Sequence, residues 1–395
     1  MKRRAFLTTL VPAAGSAWAA QVASSKLPKP YHTPSANNRP RVIARPDGAQ
    51  LSLPQGFQID EFAAGFERPR FMLQGSSGEI LLTDSTNKGK VYVIEDKDKD
   101  NKAEARKVLI DGLDRPYGLA FWRDYLYVAE TTSLKRYKYD RKAMTVSAGE
   151  EIFPMKDYAK GHWTRTVLFD RKNEKLYLSI GSESNVSTGE PEQRAAILQM
   201  NPDGSAPQIY AAGTRNPIGM RWQPGSDTLW AAIQERDGLG DDLAPDFFTS
   251  IKQGGYYGWP YAYAGPNEEP RNAGQRTDLV KKTIVPDVLL GAHVAVLDFI
   301  FYQGKQFPAK YRGGALLALH GSWNRSERVG YSVVFVPFKN GKPASAPEDF
   351  LTGWMLGKDK AEVWGRPVGL IELPDGSILV SDDGGNRIWR ISYKG

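Results

Sequence analysis

One short pattern recurs along the chain at steps of about fifty residues. Arg68-Pro69-Arg70-Phe71-Met72, Arg115-Pro116-Tyr117-Gly118-Leu119, Asn216-Pro217-Ile218-Gly219-Met220 and Arg366-Pro367-Val368-Gly369-Leu370 share one form. Successive prolines lie 47, 101 and 150 residues apart, about one, two and three units of fifty. Arg165-Thr166-Val167-Leu168-Phe169 fills the missing step, and Val296-Leu297-Asp298-Phe299 marks a further start after an insertion. Each start is followed by a turn and a strand-like run ending in a polar residue, as in Glu79-Ile80-Leu81-Leu82-Thr83-Asp84 and Ser377-Ile378-Leu379-Val380-Ser381-Asp382. A third run often follows, such as Arg387-Ile388-Trp389-Arg390-Ile391. Units of this length built from consecutive short strands are blades of a β-propeller, whose radial closure hides the sheet edges. Six starts predict an all-β fold, a six-bladed β-propeller, over residues 51–395. No helical period of useful length competes with it.

The chain has 395 residues, 41% hydrophobic and 25% charged, which fits a globular protein with a sizeable core. Cysteine is absent, which excludes disulfides, thiolate-held metal centres and thiol nucleophiles. The 52 Lys and Arg exceed the 45 Asp and Glu by seven, but the excess is not clustered, so no nucleic-acid partner is expected. Three of those charges are Lys2, Arg3 and Arg4, which precede a short apolar stretch and Ala17-Trp18-Ala19. That order is an export signal, assigned to residues 1–19, and the paired arginines before Phe6-Leu7 resemble the twin-arginine type. A periplasmic or secreted location without a membrane anchor follows. Residues 20–50, rich in Ser, Pro, Asn and Lys, read as a loosely held extended arm.

Chemistry must come from polar residues at the strand starts and in the long unit between Ala232 and Leu297, because no Gly-x-Ser-x-Gly elbow, dinucleotide fingerprint or P-loop occurs. His162, just ahead of an innermost strand, is placed to face the central channel as a general base; the alternative is a loop histidine held by hydrogen bonds. His293 and His320 lie beside apolar runs and read as structural. Arg68, Arg115, Arg215 and Arg366 occupy equivalent blade starts, and several arginines converging on one axis point to an anionic ligand. The loop from Asp237 to Asp242 offers hard oxygen ligands with two glycines, which suits calcium or a solvated turn. The run Asp96-Lys97-Asp98-Lys99-Asp100-Asn101 begins like a calcium loop, but Lys107 stands where a bidentate acid is needed, and it reads as a charged hairpin.

Taken together, Gly161-His162-Trp163, Gly213-Thr214-Arg215-Asn216-Pro217, Glu235-Arg236-Asp237-Gly238-Leu239-Gly240-Asp241-Asp242-Leu243, Tyr257-Gly258-Trp259-Pro260, His320-Gly321-Ser322-Trp323-Asn324-Arg325 and the closing Gly365-Arg366-Pro367 to Asp382-Asp383 resemble the glucose/sorbosone dehydrogenase family, with the sorbosone-dehydrogenase-like subgroup most similar. The resemblance runs from about Leu53 to Tyr393. It implies an exported quinoprotein sugar dehydrogenase, a six-bladed propeller using pyrroloquinoline quinone (PQQ) and calcium. It further implies His162 as the base that deprotonates the anomeric hydroxyl, Arg215 as the group polarising the quinone carbonyl with Asn216 beside it, and Arg366 as a clamp on the cofactor's carboxylates. Asp382 falls near an acidic family position, and Arg325 is the expected counterpart of a cofactor lysine. Main-chain oxygens of Asp237-Gly238 would hold the cofactor calcium, with Asp241 and Asp242 serving a second ion or bracing the loop. The substrate would be an aldose-type sugar and the electron acceptor a quinone or cytochrome c type. Val296 and Asp298 depart from the family pattern, which bears on substrate range. A calcium-dependent lactonase and a non-catalytic glycan- or protein-binding propeller remain as alternatives.

Overall fold

A computed structural model describes residues 26–172 and 174–395; the expected export signal lies outside the described residues. Six blades, each built on four antiparallel strands, are arranged around an axis, and the second and third blades each carry a short fifth strand, Thr145–Val146 and Gly255–Tyr256. Blade 1 comprises Pro69–Gln74, Ile80–Asp84, Gly89–Glu95 and Ala105–Leu113. Blade 2 runs from Leu119–Trp122 to Glu150–Pro154, blade 3 from Val167–Phe169 to Gln208–Ala212, and blade 4 from Asn216–Trp222 to Val288–Ala292. Blade 5 begins at Val296–Phe301 and ends at Glu348–Leu351. In blade 6 the inner three strands, Pro367–Glu372, Ile378–Asp382 and Arg387–Tyr393, are completed by Phe57–Ala64 from the start of the propeller. The only α-helix among the described residues is Thr277–Lys282, and no helix there is long and apolar enough to cross a membrane.

The recurring sequence unit has a direct structural meaning. Each Pro-led start is an innermost strand, and in blades 1, 4 and 6 the register against the second strand slips just after the proline. The glycine of the repeat stands where the next blade's backbone presses closest. A Cβ on Gly369 would lie 2.4 Å from the Arg70 carbonyl, and one on Gly219 2.9 Å from Asp298 Cα. The polar residue ending the second strand serves the same junction. Ser381 Oγ accepts the Gly369 N–H at 2.8 Å and donates to the Arg70 carbonyl of the following blade; Thr83 likewise accepts from Phe71 N and donates to the Tyr117 carbonyl. Six apolar clusters fill the spaces between adjacent blades, for example Phe71, Leu81, Leu119 and Leu126 between blades 1 and 2.

The arm is held more firmly than its composition suggests. Tyr31 N donates to the Leu239 carbonyl, Thr33 Oγ1 accepts from Asp241 N at 2.7 Å, and Arg41–Val42 pairs in parallel with Glu362–Val363. Polar residues stay on the surface here because their backbone and hydroxyl groups satisfy loops of blades 4 to 6. The closing strand adds an aromatic lock in which Phe57 meets Phe307, Phe350, Tyr393 and Tyr311 edge-on at 4.7 to 5.3 Å. Phe57→Ala is expected to cost about 3 kcal/mol, measured by urea unfolding, and an unchanged midpoint would show that the ring does not depend on this strand.

Candidate active site

The loops entering the inner strands, with the segment Glu235 to Leu243 between two strands of blade 4, form a polar cavity at one mouth of the channel. His162 and Asn216 lie side by side on its wall because position 181 is glycine. A Cβ there would sit 2.6 Å from His162 Cβ and 2.5 Å from Asn216 Oδ1. His162 Nδ1 is 2.8 Å from the Ser182 carbonyl, an acceptor only, so the proton resides on Nδ1 and Nε2 carries the lone pair. Burial first, and the charge of Arg215 second, depress the imidazole to about 3, which keeps it neutral at pH 7.

Arg215 is buried with its guanidinium spread over acceptors. Nη1 donates to the Glu235 carbonyl at 2.6 Å and Nη2 to Asn185 Oδ1 at 2.9 Å, with Asp237 Oδ2 at 3.4 Å. Asn216 Nδ2 donates to Gln234 Oε1, while Asn216 Oδ1 is buried with no partner. Behind them His293 touches Asp237 Oδ1 at 3.3 Å and the Gly240 carbonyl at 2.9 Å. Burial opposes its charge, but the bonds to Asp237 and Gly240 outweigh that and raise its affinity for a proton.

The facing wall is cationic. Arg366 donates to the His320 and Gly321 carbonyls. Beside it Arg70 Nη2 lies 2.5 Å from Asp383 Oδ2, and His320 Nε2 lies 2.7 Å from Asp383 Oδ1. Despite burial, Arg70 and His320 hold the Asp383 carboxyl far below the usual carboxylate range. Arg70 Nε is buried without a partner, and the guanidinium lies 5.2 Å from the ring centroid of Trp163. Trp323, one-third exposed at 37%, borders the same cavity.

Of the sequence-predicted residues, the fold brings His162, Arg215, Asn216, Asp237 and Arg366 to this cavity. It does not bring Arg325, Asp241, Asp242 or Asp382 there. Arg325 bonds the Asp241 carbonyl and reaches Asp242 Oδ1 at 2.8 Å, while the Asp241 carboxylate accepts from Ser326 N and Oγ. Asp382 is fully buried. Its oxygens accept from Trp354 and Trp389 Nε1, each at 3.0 Å, and from the backbone N–H groups of Arg366, Gly384 and Gly385. Asp84 does the same for Glu67 N and Arg68 N, so the acid that ends a second strand is a repeat-bound brace for the next turn. Gly238 N is held by Asn324 Oδ1. No functional role is read from the sequence for Arg70, Asp383 or Asn185, and His293 and His320 read there as structural. Arg70 carried a signal, since a charge stands where the other repeats place Tyr117, Ile218 and Val368.

The sequence model of the TrAA12-like family matches residues 51–244 and 249–394. The chain belongs to that family. A protein of Borreliella burgdorferi is 31% identical over 377 residues, covering 89% of this chain and 93% of that protein. The pyrroloquinoline quinone-dependent pyranose dehydrogenase of Coprinopsis cinerea is 23% identical over 406 residues, covering 87% of this chain and 54% of the enzyme. The solved PQQ domain of that pyranose dehydrogenase superposes with a TM-score of 0.75 at 21% identity, over 88% of this chain and 98% of that one. A Trichoderma reesei AA12 structure solved with calcium gives 0.77 at 21%, over 89% and 99%. At that identity the structural likeness establishes the propeller. The chain is thus related to PQQ-dependent sugar dehydrogenases.

Asp382→Ala would leave five donors without their acceptor, two of them buried indole N–H groups and three half-buried backbone N–H groups, and is expected to lower stability by about 3 kcal/mol. Thermal and urea unfolding measure it, and a loss below 1 kcal/mol, by the same scale, would restore Asp382 as a candidate ligand.

Proposed function

We propose that the chain oxidises an aldose-type sugar at C1, with PQQ as hydride acceptor and His162 as general base. The observation that carries this is a neutral histidine with a free Nε2, in one cavity with a buried arginine on each wall. The donors fit a polyanionic quinone. Arg70, Arg366 and His320 line one wall with a single carboxylate, Asp383, among them, and both Arg70 Nε and Asn216 Oδ1 lack partners. Arg70 and Arg366 would hold the carboxylates, with Arg215 and Asn216 at the quinone, while His320, its Nε2–H given to Asp383, positions that acid against Arg70. When bound, PQQ supplies a two-electron acceptor for the hydride that leaves C1.

His162 Nε2 takes the proton of the anomeric hydroxyl as the C1–O bond gains double-bond character, giving the lactone. The Ser182 carbonyl holds Nδ1–H throughout and stabilises the imidazolium that forms. Arg215, fixed by Asn185 and the Glu235 carbonyl, stands ready to stabilise negative charge without reorganisation. Trp163 and Trp323 supply the apolar surfaces that a pyranose ring packs on. A quinone or cytochrome c type acceptor would remove the electrons outside the cytoplasm, where the export signal expected over residues 1–19 would direct the chain.

Calcium does not fit the predicted loop as it stands. The Asp237 carbonyl accepts from Asn185 Nδ2 and Arg271 Nη1, its carboxylate faces Arg215 and His293, and Asp241 and Asp242 are engaged by Ser326 and Arg325. No step therefore runs through a metal. The same engagement weighs against a metal-dependent lactonase, for Asp246 too is committed, to Glu235 N and Ala295 N. PQQ affinity followed by the quinone absorption band is expected to be the same in calcium and in excess chelator. A loss on chelation would show that the loop exchanges Arg271 for a cation.

Dye-linked oxidation of an aldose panel by PQQ-loaded protein tests the reaction. His162→Gln is expected to lower kcat by about 10²- to 10⁴-fold while PQQ still binds, and wild-type turnover would remove the base assignment. Because the folded imidazole titrates below its ordinary value, the acidic limb of kcat/KM for the free enzyme is expected below pH 6.5. A limb at or above that value would mean that a different group is the base.

A further inference from the structure

Beyond the arginines that face the cofactor cavity, two more stand at its rim with little to neutralise them. Arg68 and Arg115 each precede an innermost strand, as His162 and Arg366 do, and so lie at the same mouth of the channel. The exposed Arg68 guanidinium has no hydrogen bond or ion pair among the described residues. Partial burial and the charges of Arg70 and Arg115 press it toward the neutral form, against the pull of Asp383 and Asp84. Arg115 pairs only with its chain neighbour Asp114, at 3.0 Å, and lies 5.9 Å from the Trp163 ring centroid. Arg70 sits 5.2 Å from that same ring, and its Nε is an unpartnered donor on a side chain only 7% exposed.

The nearby acids do not relieve this. Asp84 is committed to the N–H groups of Glu67 and Arg68, and Asp383 to Arg70 and His320. Of the four guanidiniums of Arg68, Arg70, Arg115 and Arg366, two lie against Trp163, the residue following the base, and the three nearby acids, Asp84, Asp114 and Asp383, are each already engaged. Such an excess is stable beside an anion and self-repelling without one. Cofactor carboxylates at Arg70 and Arg366 would offset part of it, but a neutral pyranose would leave Arg68 and Arg115 with Asp114 alone between them. Arg70 and Arg366 line the inner cavity together with Trp163, whereas Arg68 and Arg115 do not.

We propose that Arg68 and Arg115 form a carboxylate subsite for the sugar itself, so that the preferred substrate is an anionic aldose, a uronic acid, with its anomeric carbon at His162 and its carboxylate at the rim beside Trp163. This rests on the oxidoreductase reading above. The chemistry at C1 is unchanged: hydride and the hydroxyl proton leave as for a neutral aldose, and the distal carboxylate is a spectator that orients the ring. A carboxylate of PQQ is the other source of the same chemistry, and the test separates the two.

PQQ-loaded protein is assayed with D-glucuronate and D-galacturonate against D-glucose and D-galactose. The expected result is a kcat/KM ratio of uronate to neutral sugar of about tenfold or more, falling toward one in Arg68→Ala/Arg115→Ala. The ratio should be partly kept in Arg68→Lys/Arg115→Lys and should fall with added salt. Uronates no better than their neutral counterparts would overturn the subsite. So would a double-alanine variant that keeps the ratio while losing PQQ affinity by absorbance titration, since the arginines would then serve the cofactor. If no sugar is oxidised, the oxidoreductase reading fails by itself. Calorimetry with D-glucuronate then decides the subsite: binding by wild type that the double-alanine variant loses upholds it, and no binding overturns it.

Discussion

Closure of the ring is the constraint on which everything else depends. A propeller of six sheets has no stable partial form in which the cavity exists, because each wall of the cavity belongs to a different blade. His162 stands before the inner strand of blade 3, Arg215 before that of blade 4, Arg366 before blade 6, and Arg70 within blade 1. The strand Phe57–Ala64, paired to Arg387–Tyr393, joins the two ends of the chain in one sheet and so sets the distance between blade 6 and blade 1. Arg70 and Asp383 meet across that seam. One wall of the candidate site is thus assembled by the closure itself.

Narrowing of the axis is handled by a few small devices repeated around the circle. Glycines at the inner strands admit the neighbouring backbone, and Ser or Thr at the end of the second strand bridges the slipped register to the next blade. The acid that follows gathers the amides of the turn. Because these groups satisfy the backbone without help from the cavity, the side chains at the mouth are left free for chemistry. The orphaned Arg70 Nε and Asn216 Oδ1 are the sign of that freedom, since buried polar atoms are otherwise partnered.

The electrostatics of the mouth follow from its composition. One flank holds His162 neutral through burial and the nearby Arg215; the other gathers arginines around Trp163 and Asp383. A neutral imidazole beside fixed positive charge suits the proton-accepting role proposed for His162. Tying Arg325, Asp241 and Asp242 to one another and to Ser326 removes those charges from the site and spends them on bracing the long loop.

Blade number, the consecutive strands within a blade and the placement of His162, Arg215, Asn216 and Arg366 at blade starts were legible in the chain alone, because a fifty-residue period is a local property; that Phe57–Ala64 completes the last blade was not, because that pairing joins the two ends of the chain. The inserted unit of blade 4 and the near absence of helix could be read for the same reason. What only the tertiary structure decided are pairings between distant residues. The Arg70–Asp383–His320 contact spans the closing seam, His293 reaches Asp237 from the connection between blades 4 and 5, and the arm reaches across to loops more than two hundred residues away. The different fates of Asp382 and Asp383 make the point most sharply. They are chain neighbours of identical chemistry, yet one bonds Trp389 of its own blade and Trp354, just past the last strand of blade 5, and the other holds Arg70 and His320 at the cavity. Sequence sets the residue types and their period; which side of a strand's end faces the channel is set by the twist and packing of the closed ring.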